Sequence, residues 1–90
     1  ATGSWRRLVG ADRAALLAEV AAHETERDKE RAALVRASGR LDRALATGTP
    51  DEVQRAALIV CLHGTRRRGA AYRHEAATYR LRFYDIGGRV

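Results

Sequence analysis

The sequence predicts an all-α fold: one long antiparallel helical hairpin, a two-helix coiled coil. Three observations carry that expectation. Ala, Arg, Leu and Glu are abundant among the 90 residues, and all four are good helix formers. Two long stretches place residues at alternating steps of four and three, the heptad spacing of a left-handed coiled coil. Between them, Thr47-Gly48-Thr49-Pro50-Asp51-Glu52 carries the signals of one helix ending and another beginning.

Taken in order, residues 1 to 10 read as a short lead-in, in which Trp5, Leu8 and Val9 are placed to fold back on the hairpin ends. The first helix is expected over about residues 12–46. Asp12 supplies an N-cap oxygen, and Gly48 suits the residue just past a helix C-terminus. The turn falls at 47–49. Thr49 is the next N-cap, Pro50 occupies the first helical position and Glu52 the third, which together make a capping box. The second helix is expected over about residues 50–85, ended by Gly87-Gly88. Each helix would be about 50 Å long, and equal helices joined by a tight turn pack antiparallel. Gly64 and Gly69 weaken the second helix, and a three-helix variant that breaks near Gly64, with Thr65 capping a new helix, stays open.

The seam on the first helix reads Leu16, Val20, His23, Arg27, Glu30, Leu34, Ala37, Leu41 and Ala44. On the second it reads Val53, Ala57, Val60, Gly64, Arg67, Ala71, His74, Thr78 and Leu81. Small residues on the second seam predict close helix approach. Folding about the turn sets Leu41 near Ala56 or Ala57, Glu30 near Arg67, His23 near His74 and Leu16 near Leu81. The seam is therefore apolar at its ends and polar in the middle. A Glu30–Arg67 pair would fix register, because a buried charge needs a partner. The same belt of His23, Arg27, Glu30, Arg67 and His74 is the candidate site for a small anionic ligand.

Two further faces stand out on the second helix. Leu58, Cys61, Tyr72, Ala76, Tyr79 and Phe83 cluster roughly 130° from the seam at 100° per residue. An exposed apolar face of this kind marks an interface, here a homodimer forming a four-helix bundle or a protein partner. Arg55, Arg66, Arg73 and Arg80 project from nearly one side and are the candidate contacts to an anionic partner. Guanidinium groups about 10 Å apart would track nucleic-acid phosphates. Acids such as Glu19 and Glu26 are available to neutralise part of that stripe.

The net charge of +6 permits nucleic acid or an acidic protein as partner without choosing between them. From Asp12 to Ala46 seven basic residues balance seven acidic ones, whereas Pro50 to Asp85 carries seven Arg against four acids. Arg6, Arg7 and Arg89 add charge at the termini. Cys61 is the only cysteine, so an intramolecular disulfide is excluded and a reducing, cytoplasmic setting is expected. No apolar run has the length of a membrane span or the form of a signal peptide. Zinc-ligand spacing, a phosphate-binding glycine loop and a Glu-x-x-His pair are all missing, so neither metal nor cofactor is expected. Cys61 and His63, two apart on a helix, do not face each other as a catalytic pair would. The expected function is therefore non-enzymatic: a regulatory or assembly module binding another macromolecule through helix faces. Nucleic-acid binding through the arginine stripe and anion sensing in the polar belt are the alternatives.

Overall fold

A computed structural model describes residues 12–87. Expectations that fall on Trp5, Arg6, Arg7, Leu8, Val9, Gly88 and Arg89 lie outside the described residues. Two helices, α1 (Arg13–Thr47) and α2 (Pro50–Gly87), pack along their length against each other, and the described residues contain no strand. The radius of gyration is 19.3 Å. A compact chain of this length would have about 12 Å. The hairpin is a rod two helices wide, with very little interior.

The ends of the helices follow from local chemistry. Asp12 has extended backbone angles, and its carboxylate accepts from the Ala15 N–H at 2.8 Å. At the turn, the Gly48 N–H donates to the Ala44 carbonyl at 2.7 Å. Gly48 is extended (φ −88°, ψ 168°), so it is not needed for a left-handed conformation. It is needed for space. A Cβ at Gly48 would lie 2.7 Å from the Ala44 carbonyl oxygen and 2.9 Å from Glu52 Oε2. The Thr49 hydroxyl then accepts from the Glu52 N–H at 3.3 Å, which is the forward half of the capping box. Asp51 and Glu52 sit in the first turn of α2, where they complement the helix dipole.

α2 runs unbroken through Gly64 and Gly69, so the three-helix variant is not formed. The Thr65 hydroxyl bonds back to the Cys61 carbonyl at 3.1 Å, inside the helix, instead of capping a new one.

All nine α1 seam positions are withdrawn from solvent to some degree, with Leu16 and Ala37 fully buried. On α2 the seam differs from the expected one. Arg67 and Ala71 are exposed, whereas Ala70 and Ala77 have no exposed surface at all. The physical reason lies in a degeneracy of the sequence. The central column 53–60–67–74–81 is flanked by two columns at the same spacing, and either one gives a regular alternation of fours and threes. The flank expected from sequence is Ala57, Gly64, Ala71 and Thr78, a column whose next member is Asp85. The flank buried more deeply is Ala56, His63, Ala70, Ala77 and Tyr84, which carries the more apolar residues towards the open end. Close approach of the helices is thus made by Ala70 and Ala77. At Gly64 a Cβ would meet nothing nearer than Arg68 Nη1, 3.7 Å away on its own helix.

Candidate functional site

Cross-helix ion pairs pin the register. Arg13 Nε donates to Asp85 at 2.9 Å across the open end. Arg80 pairs with Glu19, and Arg73 with Glu26. Leu16 is therefore level with the turn from Leu81 to Tyr84. Asp85, chiefly through its hydrogen bond, raises the Arg13 guanidinium above its ordinary value. Glu26 is lowered below the ordinary glutamate range, first by the hydrogen bond from Arg73 and then by that from His23.

The polar belt is present, but its pairs are rearranged. His23 Nδ1 lies 3.4 Å from Glu26, and its Nε2 lies 3.8 Å from Glu19. Arg27 Nη1 lies 3.4 Å from His74 Nδ1. A guanidinium only donates, so the His74 ring nitrogen could take part in this contact only as the acceptor. Glu30 faces His63 rather than Arg67, which stands exposed. At 3.8 Å the Glu30–His63 contact is too long for a hydrogen bond. Glu30 Oε2 and His63 Nδ1 are both withdrawn from solvent without a hydrogen-bond partner. A desolvated polar atom left in that state costs about 1–3 kcal/mol. The belt is thus the weak middle of the seam. His63 is the belt residue that the expected seam omits; the alternative flank of α2 contains it.

The arginine stripe divides into two parts. Arg73 and Arg80 are engaged by Glu26 and Glu19, while Arg55 and Arg66 have no ion pair among the described residues. The cause is positional. Stepping by seven along α1 gives Glu19, Glu26, Ala33 and Arg40, opposite Arg80, Arg73, Arg66 and Ile59 on α2. The acids run out towards the turn. Residues 31–68, the half nearest the turn, hold eight arginines against three acids, a net +5. The described remainder, 12–30 and 69–87, holds six basic residues against eight acids, a net −2. Positive charge is concentrated in residues 31–68, since Arg6, Arg7 and Arg89 bring the rest of the chain to +1.

The apolar face of α2 is exposed. Leu58, Cys61, Tyr72, Tyr79 and Phe83 all stand in solvent, and Ala76 is partly covered. Its organisation goes beyond a cluster. One seven-residue column holds Leu58, Thr65, Tyr72, Tyr79 and Ile86. The next holds Leu62, Gly69, Ala76 and Phe83. Together they alternate four and three from Leu58 to Ile86, the same period as the seam. With 3.5 residues per turn, the two columns lie about 150° either side of the seam's central column, pointing away from α1. Each of the six large side chains in them is at least 49% exposed. Cys61 lies on the rim of this face rather than in its columns. The Arg82 guanidinium lies over the Tyr79 ring, 5.8 Å from its centroid.

No helix among the described residues is long and apolar enough to cross a membrane. The described residues contain no group of three or more His, Cys, Asp or Glu placed to hold a metal ion. In comparison with known proteins, no family model matches the chain, and neither a curated protein nor a solved structure matches it significantly.

Proposed function

We propose that the chain is a non-enzymatic assembly module, a stiff hairpin that binds another macromolecule through the outer face of α2. One observation carries this reading: six large apolar side chains, each at least 49% exposed, repeat at coiled-coil spacing on the side of α2 turned away from α1. Exposed apolar surface has a standing cost in water, and a heptad-ordered stripe of it matches one particular partner geometry, an α-helix. Self-association through the face would bring four helices together. Because the face lies opposite the seam, they would form a layer, α1–α2 against α2–α1, rather than the square bundle that a face nearer the seam would make.

Site-specific photo-crosslinking in cells tests the reading. A benzophenone amino acid at Tyr72 is expected to give a discrete covalent adduct, either with a second copy or with another protein. The same probe at Lys29, on the outer side of α1, is the control. Absence of a Tyr72 adduct, or equal yields from both positions, sinks the proposal.

A second reading draws on the net +5 of residues 31–68 and on Arg55 and Arg66, which have no ion pair among the described residues. These would hold nucleic-acid phosphates through charge without reading bases. Fluorescence anisotropy with a generic DNA duplex decides it. Binding that weakens steeply with salt and is lost in an Arg55→Glu/Arg66→Glu variant supports the reading, and no binding at low salt removes it.

A further inference from the structure

We infer that the occupant of the outer α2 face is a second copy of this chain, docked antiparallel about a two-fold axis near Gly69–Tyr72. The inference rests on the assembly reading above and names its partner. Two kinds of charge complementarity carry it. The first sets direction. Residues 31–68 bear +5, whereas residues 1–30 and 69–90, with Arg6, Arg7 and Arg89 included, bear only +1. Antiparallel docking lays the strongly positive half of one hairpin along the nearly neutral half of the other, while parallel docking stacks +5 on +5.

The second sets register. Antiparallel coiled coils place each residue of one core column opposite a residue of the other column. Two such registers use most of this face. In one, Gly69 is opposite the second copy's Tyr72, Ala76 opposite Thr65, Leu62 opposite Tyr79, and Phe83 opposite Leu58. Each large ring then meets a small residue or an aliphatic one. On the rim, Arg68 comes beside the second copy's Glu75, and the two-fold axis makes that pair twice. On the other rim Arg66 lies beside the second copy's Arg73, whose charge Glu26 already neutralises. In the other register Arg68 faces Arg82, Glu75 faces its own copy, and Leu58 overhangs the end of the partner helix. Charge and coverage both select the first. Its contact runs nearly the whole of α2, about 40 Å or more. The pairing is isologous, so it closes at two copies.

Sedimentation equilibrium on the purified chain, with Arg68→Glu, Glu75→Arg and the double swap, is the test. The wild type is expected to be dimeric at tens of micromolar. Each single reversal should weaken the dimer at least fivefold, since it puts two like-charge contacts in place of two ion pairs. The double swap should return to within about twofold of wild type, because it restores both pairs in the opposite sense. Both positions are exposed, and circular dichroism checks that the helices persist. A Cys61→Ser/Thr65→Cys/Ala76→Cys variant reads the register independently, and its oxidation should give a covalent dimer. A wild type that stays monomeric at 100 micromolar or so overturns the inference, yet leaves the assembly reading standing if Tyr72 still forms an adduct with a different protein. Assembly that grows beyond two copies means α2 docks head to tail on another face, which also overturns it. So does a dimer that ignores the charge swaps.

Discussion

Replacing Gly64 by alanine should stabilise the hairpin. A glycine inside a helix costs about 0.8–1.0 kcal/mol relative to alanine, through the freedom it must give up on folding. Whether that energy is recovered depends on the space available for a methyl group. At Gly64 a Cβ would meet only Arg68 Nη1, 3.7 Å away, at the tip of a flexible side chain. Gly39 on α1 is equivalent, with Arg43 Nη1 at 3.7 Å. Neither position has an atom of the facing helix within contact distance, so the full propensity gain is expected at both. The double variant should gain roughly 1.5–2 kcal/mol. That raises Tm by about 6–16 °C for a domain of this size. Thermal melts followed by circular dichroism, run at two protein concentrations to separate folding from association, measure it. An unchanged or lower Tm would refute the reasoning. It would mean either that α1 comes close at Gly64 or that α2 is broken there.

Other consequences concern the two ends of the seam and its polar flank. Leu16 is 1% exposed and is the one large side chain fully buried among the described residues. Leu16→Ala should cost about 2–3 kcal/mol and lower Tm by roughly 8–24 °C. The neighbouring Leu17→Ala, at an exposed position, should stay within about 0.5 kcal/mol of wild type. The lowered pKa of Glu26 gives a pH dependence of definite sign. Its contacts stabilise the fold above the ordinary glutamate value of about 4.3, and the benefit fades as pH falls through the lowered value. The Tm difference between wild type and Arg73→Ala should therefore be present at about pH 6 and shrink as pH falls below the ordinary glutamate value.

Local signals carried most of what was legible in the sequence. Asp12, Thr49 and Pro50 mark helix starts because each satisfies or removes an orphan N–H, a requirement met within four residues of chain. Gly48 was legible for a reason different from the one that holds. Its type suggested a left-handed residue, while the structure uses its missing Cβ to bring Glu52 and the Ala44 carbonyl together. The α1 seam was legible because its two columns carry Leu16, Val20, Leu34 and Leu41 at a regular step, while Leu17, Val35 and Leu45 fall outside it and are exposed. The α2 seam was ambiguous, since two flanking columns of small residues fit equally well. What separates them is tertiary: Thr78 and Asp85 make a poorer interior than Ala77 and Tyr84, and this matters only where the open end closes on Leu16. The change of flank moved Arg67 out of the belt and His63 into it. It also moved the outer face from roughly 130° away from the seam to opposite it.

On the proposed assembly, the same geometry would tie folding to association. α2 has apolar columns on two opposite sides and α1 has one, so the hairpin alone leaves half of the ordered apolar surface of α2 in water. Its own seam is thin, with small residues at the closest approach and a belt whose Glu30–His63 contact pays for desolvation without a hydrogen bond. Chains this short fold marginally on their own cores. A partner that binds the folded hairpin, and not the unfolded chain, adds stability by mass action. The polar belt and the apolar outer face therefore have complementary roles. Glu26 and Glu19 pair α1 with α2 across the seam, and on the proposed assembly the columns from Leu58 to Ile86 would add stabilisation once another helix covers them.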